Sequence, residues 1–168
     1  MQNKNISVDL PILIHDTDNS VWNTQVKKYC EEFTDSQNQT SNVKADMSSY
    51  QIWQETDLFN DLLSMVVECV DNHPWAKHLQ SWFIRDAWLA RYKKGQSTNV
   101  HHHIPAHLSF VYYLKGSEKS SPLNLEGIDI ELVEGRLIIF PSLMMHSVST
   151  TPAERIVLAG NINSGNMG

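Results

Sequence analysis

NVHHHIPAHLSFVYYL, residues 99–114, holds four of the eight histidines in this chain of 168 residues. Residues i and i+2 of a β-strand point to the same side. His101 and His103 can therefore bind one metal ion from a strand, while His102 points to the other side. Either His101 or His103 could be replaced as a metal ligand by His102, if the strand is rotated, or by His107, which lies beyond Pro105. The stretch predicts a strand that supplies two ligands of a metal site.

A third ligand is expected from a distant strand. His146 follows a Phe-Pro-Ser turn at residues 140–142 and enters the next apolar run. Three protein ligands on one side of an ion leave coordination positions open for substrate or oxygen. His101, His103 and His146 are thus the predicted metal ligands.

The order of elements along the chain predicts the fold class. Apolar residues recur at helical spacing over residues 21–33 and 58–70, and from residue 81 the period changes to two. Residues 34–49 are rich in Ser, Asn, Gln and Thr and are predicted to form an exposed loop. Two helices followed by about eight short strands are typical of an antiparallel sandwich or jelly roll with the helices packed on one sheet. Strands are predicted at residues 9–16, 81–94, 99–103, 108–114, 127–133, 136–140, 146–149 and 155–161.

The long strand at residues 81–94 is predicted to place its aromatic residues on one face. Trp82, Ile84, Trp88 and Tyr92 alternate at a period of two, and core packing is the expected role of Trp88 and Tyr92. Asp86 falls on the same face, which is unusual for an isolated carboxylate.

Length and composition predict one globular domain, in which residues 1–80 support a jelly-roll core at residues 81–168. The chain is 41% hydrophobic with a net charge of −6, and it has no cluster of Lys and Arg that would indicate a nucleic-acid-binding surface. No signal peptide and no run of about 18 apolar residues is present, which predicts a cytoplasmic protein without membrane contact.

Four polar or reactive residues outside the histidine stretch have simple expected roles. Cys30 and Cys69 fall in the predicted helices and are expected to be reduced, buried thiols. His73 and His78 follow the second helix, where surface histidines or partners of the helix dipole are expected.

Four motifs in order resemble those of the iron(II)- and 2-oxoglutarate-dependent oxygenases, particularly the prolyl-hydroxylase-like branch with its small bacterial and phage-encoded members. They are the H-x-H at residues 101–103, SFVYYL at 109–114, GRLIIFPSLMMHSV at 135–148 and RIVLAGN at 155–161. The resemblance implies a cupin-like double-stranded β-helix. It also implies a hydroxylase that converts 2-oxoglutarate and O2 to succinate and CO2 while oxidising an unknown small molecule or peptide, in the cytoplasm of a bacterium or of a phage host.

The resemblance assigns roles to single residues. His101 matches the first metal ligand and His146 the distal one. Arg155 matches the residue that pairs with the remote carboxylate of 2-oxoglutarate, and Tyr113 matches a residue that hydrogen-bonds the same carboxylate. His103 departs from the family, because the common motif has Asp or Glu at this position.

The third ligand therefore has three candidates. No Asp or Glu occurs between Asp86 and Glu118, so the site is completed by His103, by Asp86 from a neighbouring strand, or by water. Three histidines are the favoured set. A smaller departure is Val157, which stands where many relatives have Ser or Thr.

Two other functions compete with the oxygenase. A three-histidine, cupin-like dioxygenase would use oxygen without 2-oxoglutarate and would have no need for Arg155 as a clamp. A non-catalytic β-sandwich with a structural zinc would suit an all-imidazole ligand set, although structural zinc usually has a closed, sulfur-rich shell. The sequence leaves open whether the helix faces cover the sheet or a second subunit in a homodimer.

Overall fold

The computed structural model describes residues 7–33, 41–76 and 81–165, which form two antiparallel β-sheets and two α-helices. Helix α1 spans Thr24–Glu32 and helix α2 spans Asn60–Val70, with a short 3-10 helix at Ile52–Gln54. Strands β1 to β11 are, in order, Leu13–Asp16, Val43–Lys44, Asp46–Met47, Trp82–Tyr92, Ser97–His101, Leu108–Lys115, Leu123–Leu125, Ile128–Ile130, Arg136–Pro141, His146–Val148 and Arg155–Ser164.

The eight strands β4 to β11 follow jelly-roll topology. One sheet has the order β1-β9-β6-β11-β4-β3 and the other has the order β2-β5-β10-β7-β8. All neighbouring strands are antiparallel, and the chain passes repeatedly from one sheet to the other. The predicted double-stranded β-helix with preceding helices is confirmed.

The helices cover the outer face of the six-stranded sheet, as predicted. Val26 of α1 and Val66 of α2 are fully buried in one apolar cluster with Leu89, Phe110 and Leu158 of the sheet. Burying an apolar side chain of this size stabilises the fold by about 1.5–3 kcal/mol. A second apolar cluster fills the space between the sheets. Strand β11 is buried on both faces, which explains its nearly continuous apolar sequence.

The predicted loop at residues 34–49 is wrong in its second half. Residues 34–40 lie outside the described residues, whereas β2 pairs with β5 and β3 pairs with β4. Met47 and Ser48 are buried. Two-residue strands are too short to show a period in the sequence, and their pairing with both sheets makes this segment part of the barrel wall.

The predicted common face of the long strand β4 is also wrong. The register of β4 against β11 shifts at Arg85, which is the extra residue of a β-bulge. Trp82 and Ile84, before the bulge, therefore pack toward the helices, whereas Trp88 and Tyr92, beyond it, face the space between the sheets.

Several predicted boundaries shift by a few residues. Helix α1 begins three residues later than predicted, because Asn23 caps it by accepting hydrogen bonds from the backbone N–H groups of residues 25 and 26. The strand predicted at residues 127–133 is shortened to β8, which pairs with β7, a strand that was not predicted. The turn residues between them, Glu126 and Gly127, both have positive φ. Strand β5 ends at His101, so His103 lies in the following loop.

The histidine after α2 is not a surface residue. His73 is fully buried, its Nε2 lies 3.1 Å from the Pro11 carbonyl oxygen, and its Nδ1 accepts the Trp75 N–H at 3.3 Å. His78 lies outside the described residues. Cys30 and Cys69 are free thiols within the helices, as predicted. Cys30 is buried, whereas Cys69 is only half-buried, so the expected burial is wrong for Cys69. No helix in the described ranges is long and apolar enough to cross a membrane.

Candidate metal centre

Three histidine side chains meet between the two sheets. His101 ends β5 and His146 begins β10, and the two residues are direct partners in the second sheet. His103 approaches from the loop beyond β5. One ring nitrogen from each residue lies within 4.8 Å of the other two. Metal–nitrogen bonds of about 2.1 Å place neighbouring ligand atoms about 3 Å apart, so the side chains would close by about 1–2 Å around an ion.

Backbone carbonyls orient two of the three rings. The Nδ1 of His101 lies 2.8 Å from the Asn99 carbonyl oxygen, and the Nδ1 of His146 lies 3.0 Å from the Met144 carbonyl oxygen. When these Nδ1–H groups donate to the carbonyls, each Nε2 keeps its lone pair for a metal. Such bonds to the second ring nitrogen are the usual support of metal-binding histidines.

Burial keeps the three imidazoles neutral. For each of the three residues, burial is the largest cause of a lowered pKa. The pKa of His101 is lowered, that of His103 falls to about 3, and that of His146 falls to about 4. The neighbouring His146 and His101 lower the pKa of His103 further. The ring nitrogens therefore hold lone pairs at neutral pH, as metal ligation requires.

The other candidate ligands lie apart from this group. His102 and His107 are exposed, and the Nδ1 of His102 accepts the backbone N–H of Ile104. The Asp86 carboxylate accepts hydrogen bonds from Arg85 Nε at 2.7 Å and Asn161 Nδ2 at 2.6 Å. Within the described residues, the cluster of metal-ligating side chains comprises His101, His103 and His146 without Asp86.

Arg155 is a buried cation at the start of β11. Its side chain is 1% exposed, its Nη1 donates to the Ser121 carbonyl oxygen at 2.6 Å, and its Nε has no hydrogen-bond partner. Among the described residues, no carboxylate forms an ion pair with it. A buried charge without a counterion costs several kcal/mol, so the surroundings of Arg155 suit an anionic ligand.

Two tyrosines flank the guanidinium group of Arg155. Its Cζ lies 5.1 Å from the Tyr92 ring centroid and 5.3 Å from that of Tyr113. The Tyr113 hydroxyl donates weakly to the Ile130 carbonyl oxygen at 3.3 Å, and the Tyr92 hydroxyl bonds Thr98 at 2.7 Å. Burial raises the pKa of both phenols, so both stay neutral.

The sequence predicts only core packing for Tyr92 and does not indicate its place beside Arg155. Tyr92 is buried, as expected, and it is also the direct partner of Arg155 in the pairing of β4 with β11. The alternation from Trp88 to Tyr92 is the signal that could have found it, once the end of this strand is aligned with the start of the last one.

A single cavity joins the histidines to Arg155. His101, His103, His146, Tyr92 and Arg155 all line it. A wider groove lies against the same cluster and is bordered by Trp88, whose ring is 5.8 Å from that of His103. The remaining walls of this groove include Tyr50, Gln51, Arg85, Asp86 and Asn161.

The fold recurs in solved structures, although neither a protein-family model nor a curated protein sequence matches this chain. The viral collagen prolyl hydroxylase vCPH of Paramecium Bursaria Chlorella virus-1, in complex with 2-oxoglutarate, superposes with a TM-score of 0.69 at 13% identity, covering 90% of this chain and 94% of that one. A Pseudomonas putida prolyl-4-hydroxylase gives 0.70 at 15% identity over 92% and 93%. HygX of Streptomyces hygroscopicus, with nickel and 2-oxoglutarate bound, gives 0.65 at 9% identity over 90% and 82%. The resemblance predicted from the motifs is thus confirmed at the level of the fold.

Proposed function

We propose that this chain, which has the fold of the 2-oxoglutarate- and iron(II)-dependent oxygenases, is itself such an enzyme and hydroxylates a small molecule or peptide. The reaction converts 2-oxoglutarate and O2 to succinate and CO2 as the substrate is oxidised. The observation that carries the proposal is the single cavity in which three neutral imidazoles and a buried, unpaired arginine stand together.

His101, His103 and His146 would hold the iron. Imidazole suits iron(II), and three ligands leave the remaining positions of an octahedral ion open. Because all three ligands are neutral, the site keeps the full charge of the ion, whereas the common two-histidine, one-carboxylate set removes part of it. The chelating carboxylate of 2-oxoglutarate would then remove one of the two charges of the ion, which favours its binding in this buried cavity.

Arg155 would bind the far carboxylate of 2-oxoglutarate. Its free Nε–H can donate to the anion, while the bond from Nη1 to Ser121 fixes the plane of the guanidinium. The rings of Tyr92 and Tyr113 exclude water from its faces, which strengthens the ion pair. Bound iron and 2-oxoglutarate would supply the oxygen chemistry. The chain itself contributes orientation at the histidines and Arg155, and a groove beside Trp88 for the substrate.

The three-histidine dioxygenase without 2-oxoglutarate is the second candidate, and the neutral ligand set favours it. It leaves the burial of Arg155 unexplained, because oxygen and most substrates of such an enzyme would not neutralise a cation at the end of the cavity. A closed structural zinc site is less consistent with a cluster that lines two open spaces.

The test is an anaerobic titration of the metal-free protein with iron(II) and then 2-oxoglutarate. The expected result is a saturable, weak visible charge-transfer band from the keto-acid chelate. Arg155→Met should bind iron but require about 10² to 5 × 10³-fold more 2-oxoglutarate, since removing one partner of a buried ion pair costs about 3–5 kcal/mol. Arg136→Met is the matched control, because Arg136 pairs with Asp16 away from the cavity.

Each alternative has its own outcome in this titration. Iron binding without a band would point to the dioxygenase that uses oxygen alone. Absence of iron binding would remove both enzymes from consideration. An unchanged 2-oxoglutarate affinity in Arg155→Met would refute the assignment of the clamp.

A further inference from the structure

His103 is held differently from the other two histidines of the cluster. His101 and His146 lie in paired strands, whereas His103 follows the end of β5. Its backbone N–H donates to the Ser142 carbonyl oxygen at 2.8 Å, and the Ser142 N–H donates to the His107 carbonyl oxygen at 3.0 Å. Ser142 therefore holds both ends of the loop that carries His103.

The side chain of Ser142 is the first link of a buried hydrogen-bonded chain. Its hydroxyl lies 2.7 Å from the Ser109 hydroxyl, and Ser109 donates to Asn161 Oδ1 at 2.8 Å. Because a serine hydroxyl has one proton, Ser142 must be the donor to Ser109. Asn161 Nδ2 then donates to Asp86 Oδ1 at 2.6 Å. Every donor points toward the Asp86 carboxylate.

The register of the sheet aligns these groups. Asn161 of β11 is the direct partner of Ser109 on β6 and of Asp86 on β4, so the three form one row across neighbouring strands. Ser142 is fully buried, Ser109 is 1% exposed and Asn161 is 3% exposed. Apolar residues normally fill such a row. Polar ones are tolerated only when each is satisfied, and the satisfied row then favours a single arrangement.

The far end of the chain lies in the wider groove. Asp86 lines this groove together with His101 and His103, and its second oxygen accepts Arg85 Nε at 2.7 Å. The charge on the carboxylate polarises the chain and keeps its donors aligned. One end of the chain thus holds the loop of a metal-binding histidine, and the other end faces the space where a substrate would lie.

We propose that Ser142, Ser109, Asn161 and Asp86 form a relay that positions His103 as the third metal ligand and links it to the groove wall at Asp86. This inference rests on the proposed metal site. The four are positioning residues, since they act on the metal through the loop that carries His103. Breaking one link leaves its buried neighbours unsatisfied, and Ser142, whose backbone anchors the loop, is then held less firmly.

The first experiment compares cobalt(II) affinity, measured by competition with a chelator, in the wild type, Ser109→Ala and Ser109→Thr. Ser109→Ala should bind cobalt about 10–100-fold more weakly, the usual effect of removing support behind a metal ligand. Ser109→Thr keeps the hydroxyl and should recover most of the affinity. Ser48→Ala is the matched control, because Ser48 is fully buried and accepts the Leu89 N–H at 2.9 Å without contact to the relay.

The second experiment needs no metal. Amide hydrogen exchange in the metal-free protein should be about tenfold faster at His103 in Ser109→Ala than in the wild type, since its bond to Ser142 loosens. The same rates at His103 in both proteins, or an unchanged cobalt affinity, would overturn the relay. A wild type that binds no metal would refute the proposed function, and the exchange rates would still test the relay.

A variant at the end of the relay guards against failure of Ser109→Ala to fold. The side chain of Asp86 is 15% exposed, so Asp86→Asn disturbs the core less and removes the charge that aligns the donors. It should weaken cobalt binding and speed exchange at His103 in the same direction as Ser109→Ala. No effect on either quantity would also overturn the relay.

Discussion

Replacing Arg155 by methionine separates two roles of a buried guanidinium, stability and anion binding. Removing the charge from water costs several kcal/mol in the wild type. Opposing this cost are the bond to Ser121, worth about 1.5–3 kcal/mol, and cation–π contacts with Tyr92 and Tyr113, worth about 1–2 kcal/mol each. These terms nearly cancel. Arg155→Met should therefore change the free energy of unfolding of the metal-free protein by less than about 2 kcal/mol.

Adding 2-oxoglutarate should make the wild type clearly more stable than Arg155→Met. At a 2-oxoglutarate concentration of about 100 times its Kd, binding to the folded wild type adds about 2.7 kcal/mol of stability. For a chain of this length each kcal/mol raises Tm by about 2–4 °C, so the expected increase is about 5–11 °C. Arg155→Met should show almost no increase at the same concentration, because its pocket no longer holds a cation for the far carboxylate.

The assay is thermal unfolding of the metal-loaded proteins under anaerobic conditions, with and without 2-oxoglutarate. Arg136→Met should keep the wild-type increase in Tm, since Arg136 pairs with Asp16 outside the cavity. An equal increase in Arg155→Met would refute anion binding by Arg155. A loss of more than about 3 kcal/mol in the metal-free variant would show that Arg155 serves mainly the stability of the core.

Three further predictions concern the histidines. His146→Ala should abolish stoichiometric iron(II) binding, because it removes one of the three clustered ligands; one retained equivalent in metal analysis would contradict this. His103→Asp should retain iron, since it restores the carboxylate of the common motif, and loss of iron would show that the shorter side chain cannot reach the ion. Burial lowers the pKa of His73, so the folded protein binds fewer protons than the unfolded chain below the ordinary value of 6.5, and stability falls as pH falls through that range. Between about pH 7.5 and 5.5 the wild type should therefore lose more free energy of unfolding than His73→Gln in urea titrations.

The sequence alone determines the class of fold and the main members of the candidate site. Long helices and strands repeat the burial of one face often enough to show a period, and β11 reads as continuously apolar because both of its faces are buried. The H-x-H at residues 101–103, the distal His146 and the following Arg155 are visible because histidine and arginine are side-chain types suited to metal and anion binding. The structure brings all four to one cavity.

Only the tertiary structure decides features that depend on a pairing partner. The bulge at Arg85 appears when β4 is aligned with β11, and it sends Trp82 and Trp88 to opposite faces. Strands β2 and β3 are two residues long, so nothing in their own sequence distinguishes them from a loop. His73 is buried because the segment around Pro11 packs over it.

The same reason explains what the sequence missed at the site. Tyr92 stands beside Arg155 only because the end of β4 is paired with the start of β11. The adjoining hydrogen bond between Arg91 and Glu154 likewise joins residues 63 positions apart in the sequence. Likewise, Ser109, Asn161 and Asp86 are ordinary polar residues along the chain and become a row only through the register of three strands. Side-chain type is a local property that a sequence displays, whereas the distance between side chains on different strands is set by the pairing of the whole sheet.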